Sequence, residues 1–149
     1  MRISHLGVSF IKGFEGYSST PYQDVAGIWT WGYGHARRLG EDLPASVTRE
    51  EAEAQLEMDI IPAEKCINQV VKVPINQNQF DALCSFVYNV GGAAFSGSTL
   101  LKKINASQMD DAENEFMKWS HAGGKVVQGL LTRRQAEAKL FSTPMEVVA

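Results

Sequence analysis

A chain of 149 residues, 44% hydrophobic and 21% charged, has the size and balance of one soluble globular domain, long enough to bury about 70% of the surface its unfolded form exposes. Its 14 basic and 17 acidic side chains leave a net charge of -3, which argues against nonspecific binding to nucleic acid. Cys66 and Cys84 are too few for a disulfide framework, and no run of about 18 apolar residues is there to span a membrane.

In chain order, Leu6, Phe10, Ile11 and Phe14 fall at i, i+4, i+5 and i+8, which predicts a helix burying one side, with Ser4 as its N-cap and Gly16 as its left-handed stop. His5, Gly7 and Lys12 interrupt this stretch, so no signal peptide is expected. Glu15 is the last side chain before the stop, at the edge of an apolar surface. Burial there disfavours the charged form, as a general acid working near neutrality requires. A Pro- and Ser-containing loop then leads to Asp24, which precedes a Val25-Ala26-Gly27 turn. The following Ile28-Trp29-Thr30-Trp31-Gly32-Tyr33-Gly34 is aromatic and β-branched and reads as a β-hairpin packed on the first helix. Each residue also has an ordinary reading: a Glu at a helix end is commonly solvated, an Asp before a turn commonly bonds its own backbone, and a Thr in a strand is a β-former.

Arg37, Arg38 and the G-E-D-L-P segment read as a surface loop. Thr48 and Glu51 make a capping box, followed by Ala52, Leu56, Ile60 and Ala63 at helical spacing. Pro62 interrupts that pattern and Cys66, Ile67 and Val70 resume it, so one kinked helix or two are allowed. The excess acid between Glu41 and Glu64 is expected on a solvated helix face. Asn76 with Gln79 caps a broad-faced apolar helix containing Phe80, Leu83, Cys84, Val87 and Tyr88, ended by Gly91-Gly92. Ser98 caps a short helix with Leu100, Leu101 and Ile104. A further helix is expected over about Asp110 to Ser120, with Ala112, Phe116 and Trp119 inward. Gly123, Gly124 and Gly129 mark a loop. Thr132, with Gln135, opens the last helix, whose apolar face is Ala136, Leu140 and Phe141, and Pro144 stops it. The sum is an α+β fold, mostly helical.

Other chemistries find no support in the motifs. His5, His35 and His121 lack the spacings of zinc sites, so no metal is expected. There is no nucleophile elbow, P-loop or dinucleotide fingerprint, and no cofactor is implied.

The ordered set Glu15, Asp24 and Thr30, with eight residues between the first two and five between the last, resembles the catalytic signature of the phage-type lysozymes, endolysins that cleave bacterial peptidoglycan. The surrounding F-E-G, the W-G-Y-G-H after the Thr and the later G-G-K-V-V-Q-G-L-L-T-R-R-Q-A-E are also similar to that family, so the likeness covers nearly the whole chain. It implies a lysozyme-like fold with a small hairpin lobe over about 1–47, a linking helix over about 48–72 and a helical lobe over about 73–149, with Glu15 at the base of a cleft. It implies a muramidase that hydrolyses the β-1,4 bond between N-acetylmuramic acid and N-acetylglucosamine, with Glu15 as acid and with Asp24 and Thr30 holding a water for inversion. Arg133 looks like the family's arginine near the acid, and Tyr88 and Ser98 fall where the family places sugar contacts. His35 resembles a histidine that pairs with a carboxylate on the linking helix, Asp59. The resemblance further implies peptidoglycan glycan strands as partner, a monomer without membrane insertion, synthesis in the host cytoplasm, and reliance on a separate membrane-permeabilising holin to reach the periplasm. Its rivals are a lytic transglycosylase, which needs only the Glu, and a silent wall-binding domain that keeps the fold.

Overall fold

The computed structural model describes residues 1–145, and these form seven α-helices, one 3-10 turn and five short strands. Two compact units are present, one running Ser9–Ile61 and the other combining Met1–Val8 with the chain from Pro62 onward. Helix dominates and the sheets are small and antiparallel, which is the expected α+β class. No helix among the described residues is long and apolar enough to cross a membrane.

Helix α1 spans His5–Glu15. Ser4 caps it through Oγ, which accepts from Gly7 N at 3.0 Å, and Gly16, at φ 68°, ends it. The buried stripe is not the one the spacing implies. Val8 and Ile11 are buried, Phe10 and Phe14 half-buried, and Leu6 is 81% exposed. The period is right but the face is turned by roughly a quarter of a helical turn, because Gly7 and Val8 rather than Leu6 enter the core.

The segment read as a loop before Asp24 is a strand, β1 (Ser18–Gln23), paired antiparallel with β2 (Trp29–Gly32), and β2 pairs in turn with β3 (His35–Ala36). Ser18 pairs with Gly32 and Tyr22 with Thr30, so β1 carries extra residues between two registered points. Pro21 lies in that irregular stretch, where its missing N–H costs no ladder bond. The predicted hairpin is therefore two strands of a three-stranded sheet.

Helix α2 (Arg49–Val70) is continuous through Pro62. Its start is the expected capping box: Glu51 N donates to Thr48 Oγ1 and Thr48 N to Glu51 Oε1, each at 3.1 Å. Glu50, Glu51 and Glu57 are exposed as expected, but Glu64 is buried and accepts from Ile3 N at 2.7 Å. Helix α3 (Gln77–Val90) opens on the reciprocal Asn76–Gln79 box, both bonds at 2.8 Å, and stops at Gly91. Its buried Asp81 takes the Ser4 backbone N–H at 3.0 Å and Gln77 Nε2 at 2.7 Å, and it also accepts from the Ser4 hydroxyl. Cys84 is buried on the same helix, where burial pushes its thiol up, out of the reactive range.

A short helix that the sequence reading omits, α4 (Gly92–Ser96), precedes α5 (Thr99–Asn105), which Ser98 caps. Helix α6 (Met109–Glu115) gives way to a 3-10 turn, Phe116–Trp119, where one helix was expected. Phe86 collects Phe95, Phe116 and Trp119 edge-on at 5.4–6.1 Å to form the aromatic centre of this unit. A two-stranded ribbon, β4 (His121–Ala122) and β5 (Lys125–Val126), turns at Gly123-Gly124.

Helix α7 (Gln128–Ser142) starts a full turn before Thr132, so Gly129 is helical. The Thr132–Gln135 pair imitates a capping box inside the helix, and a Gly in a first turn costs less than one in a helix interior. Phe141 is buried as expected, but Ala136 and Leu140 are only half-buried, and the stripe inward contains Arg133, Arg134 and Glu137.

Replacing Asn76 by Ala is expected to lower unfolding stability by about 1 kcal/mol, the usual worth of an N-cap side chain. Urea denaturation with an unchanged m-value checks it.

Candidate functional site

Asp24 and Thr30 are joined through a single intervening residue. Ile28 N donates to Asp24 Oδ1 at 2.9 Å, while Ile28 O accepts from Asp24 N at 2.9 Å and from Thr30 Oγ1 at 3.0 Å. Ala26 N adds a bond to Asp24 Oδ1 at 2.8 Å. The ordinary reading of Asp24 is thus correct for one oxygen, which closes the turn on its own backbone. Asp24 Oδ2 takes no hydrogen bond among the described residues. Thr30 is 6% exposed and its hydroxyl donates to Ile28 O, so the lone pairs of its oxygen are presented as acceptors.

Glu15 ends α1, half-buried, with its carboxyl against the turn between β2 and β3. A β-carbon built on Gly34 would stand 2.5 Å from Glu15 Oε2, and Gly34 is itself at φ 77°. Only Gly meets both demands, the left-handed backbone and the missing side chain. Lys12, one turn earlier on α1, lies 3.1 Å from Glu53 Oε2 and 5.0 Å from the Tyr33 ring centre. The Glu53 carboxylate raises its pKa, with Tyr33 adding to that, and partial burial opposes them. The three signature residues therefore reach β2 by different routes: Thr30 within it, Asp24 through Ile28, and Glu15 at the turn that follows.

His35 is bonded as expected to Asp59, Nδ1 to Oδ2 at 2.7 Å, and also to Glu41, Nε2 to Oε1 at 2.8 Å. Asp59 is further held by Gln55 Nε2 at 2.9 Å. Both ring nitrogens therefore face carboxylates, and Trp31 packs edge-on against that ring at 4.5 Å.

In the other unit, Ser98 is buried, with its hydroxyl donating to Phe95 O at 2.6 Å and accepting from Leu101 N at 3.1 Å. Tyr88 is half-buried on α3, one turn beyond Ser85. Arg133 is buried and donates through Nη2 to Ser85 O at 3.1 Å and Ser85 Oγ at 3.3 Å, and through Nε to Glu137 Oε2 at 3.3 Å. Burial raises the Glu137 carboxyl above its usual range against the opposing pull of Arg134, Ser85 and Arg133, and burial also lowers Arg134 despite Glu137. Ser85, Arg134 and Glu137 were missed from sequence. Their signal was the R-R-Q-A-E run, whose Arg and Glu residues stand three and four apart on one helix. Among the described residues no group of three or more His, Cys, Asp or Glu is arranged to hold a metal.

The helix-dominated α+β fold, taken with the relatives it matches, is that of a glycoside hydrolase of the lysozyme type. The chain belongs to the phage lysozyme family, whose family model matches residues 12–137, and it is accordingly a muramidase. It is 47% identical to the endolysin of Acyrthosiphon pisum secondary endosymbiont phage 1, over 96% of this chain and 99% of that one. It is 44% identical to the endolysin of Bacillus phage B103 over 96% of this chain, and it spans 55% of that longer protein. Among solved structures, the endolysin from Escherichia coli O157:H7 phage FAHEc1 superposes with a TM-score of 0.89 at 36% identity, covering 95% of this chain and 94% of that one.

Gly34→Ala is expected to displace the Glu15 carboxyl and reduce turnover by about 10²-fold, the cost of misplacing a reacting group by about 1 Å. Activity on peptidoglycan, with circular dichroism to verify the fold, checks it.

Proposed function

We propose that the chain cleaves the β-1,4 bond between N-acetylmuramic acid and N-acetylglucosamine with Glu15 as general acid and with Asp24 and Thr30 as the holders of the attacking water. The observation that carries this reading is the pairing of Asp24 and Thr30 through Ile28. Thr30, having donated to Ile28 O, can accept one water proton, and the anionic oxygen of Asp24 can accept the other. A water held by both its protons turns its lone pairs outward, toward an anomeric carbon. Glu15 protonates the leaving oxygen while Asp24 takes the water's proton, and the anomeric configuration inverts. A lytic transglycosylase closes the ring without water and would have no use for this pair.

Tyr88 and Arg133 are proposed as sugar contacts, Tyr88 by its ring and phenol and Arg133 by its planar fork. Ser98 contributes by fixing the first turn of α5, to which its hydroxyl is committed. The protein acts as a monomer on glycan strands, is made in the host cytoplasm, and passes to the wall with the help of a holin. The endolysin names of its relatives support this placement.

Turbidity of outer-membrane-permeabilised Gram-negative cells is expected to fall with the wild type, and Glu15→Gln should slow clearing by about 10²–10⁴-fold. Released fragments should end in reducing muramic acid, and the anomer formed first, read by NMR, should be inverted. Anhydro ends would instead make the protein a transglycosylase, and equal behaviour of wild type and Glu15→Gln would make it a wall-binding domain.

Asp24→Asn keeps the oxygen that closes the turn and removes the charge. Stability should change by less than about 0.5 kcal/mol, as for a surface substitution, while kcat falls by about 10²-fold or more. Thermal melting measured beside kcat separates the two roles.

A further inference from the structure

Helix α7 carries two adjacent arginines and a glutamate out of water, and Arg134 and Glu137 are each 0% exposed. Their bonds converge on one atom. Glu137 Oε2 accepts from Ser85 Oγ at 2.5 Å, from Arg134 Nη2 at 3.2 Å and from Arg133 Nε at 3.3 Å. Arg134 has further partners in Asn89 Oδ1 at 2.8 Å and the Phe86 ring at 5.1 Å, and its Nε stands 2.7 Å from Glu137 Oε1, within ion-pair reach though misaligned for a hydrogen bond. A carboxylate buried with two guanidiniums occupies a place where apolar side chains of similar volume would fill the space without desolvation cost. Arg133 is held by this cluster at two of its nitrogens: Nε donates to Glu137 and Nη2 to two oxygens of Ser85.

We propose that Ser85 and Glu137 are positioning residues for Arg133. They set the plane of its guanidinium, and Glu137 also neutralises Arg134, so that the neighbouring cation does not push Arg133 from its place. This rests on the reading of Arg133 as a substrate contact. Glu137 touches no substrate in this scheme and acts only through the arginine.

The test is a pair of double-mutant cycles on kcat and KM, with purified, soluble, uncross-linked glycan strands as substrate. Arg133→Gln, Glu137→Gln and Ser85→Ala should each raise KM by about tenfold, the scale of one hydrogen bond to a charged group, with smaller changes in kcat. Adding Glu137→Gln or Ser85→Ala to Arg133→Gln should raise KM no further. A merely structural role would multiply KM by the same factor in both backgrounds, and that result overturns the proposal. So does a normal KM in Ser85→Ala and Glu137→Gln when Arg133→Gln has raised it, and in either of these cases the reading of Arg133 stands. A normal KM in Arg133→Gln removes that reading and this inference together. Ser85→Ala removes no charge, so its arm decides the question if Glu137→Gln does not fold.

Discussion

A carboxylate taken out of water must be matched by donors, and each unit of this protein is arranged around that requirement. Asp81 collects the backbone and hydroxyl of Ser4 and the amide of Gln77, and Glu64 collects the backbone N–H of Ile3, so the chain before α1 is held by two acids far along the sequence. Glu137 gathers Ser85 and two arginines. Asp59 gathers His35 and Gln55. None of these acids is neutralised by a sequence neighbour alone, and each makes a particular tertiary arrangement the one in which its charge is affordable.

The same requirement operates at the sheet in a milder form. Asp24 spends one oxygen on the turn that follows β1, and the turn returns Ile28 to a position where its carbonyl serves both Asp24 and Thr30. In the proposed mechanism folding and chemistry share this carboxylate without conflict, since the turn takes only one of its two oxygens. Glu15 is placed by a different device, the absence of a side chain at Gly34. One functional group is located by bonds made to it and the other by room left for it.

What could be read from the sequence follows from the range of the forces involved. Helix caps are local, and Ser4, the Thr48–Glu51 box, the Asn76–Gln79 box and Ser98 were all legible. The Glu15, Asp24 and Thr30 spacing is a pattern in the sequence, and the bonds that tie two of its members to Ile28 are visible only in the structure. Leu6 was misplaced because periodicity gives a helix its stripe but not the rotation of that stripe against a core. The stretch before Asp24 looked like a loop because Ser and Pro are poor strand formers, and it is a strand only because β2 supplies its partners. Thr132 copied the chemistry of a cap one turn inside a helix. The buried face of α7 was the least legible, since charged residues at helical spacing read as solvent-facing until a distant serine and phenylalanine are seen to cover them.

The irregular pairing of β1 has a bearing on how the protein behaves in concentrated solution. In the order β1-β2-β3, the outer strands are the ones a second chain could extend. One of them is interrupted by extra residues and a proline, and the other is two residues long. Neither offers the straight row of free donors and acceptors that edge-to-edge association needs, so the sheet resists growing from one molecule into the next.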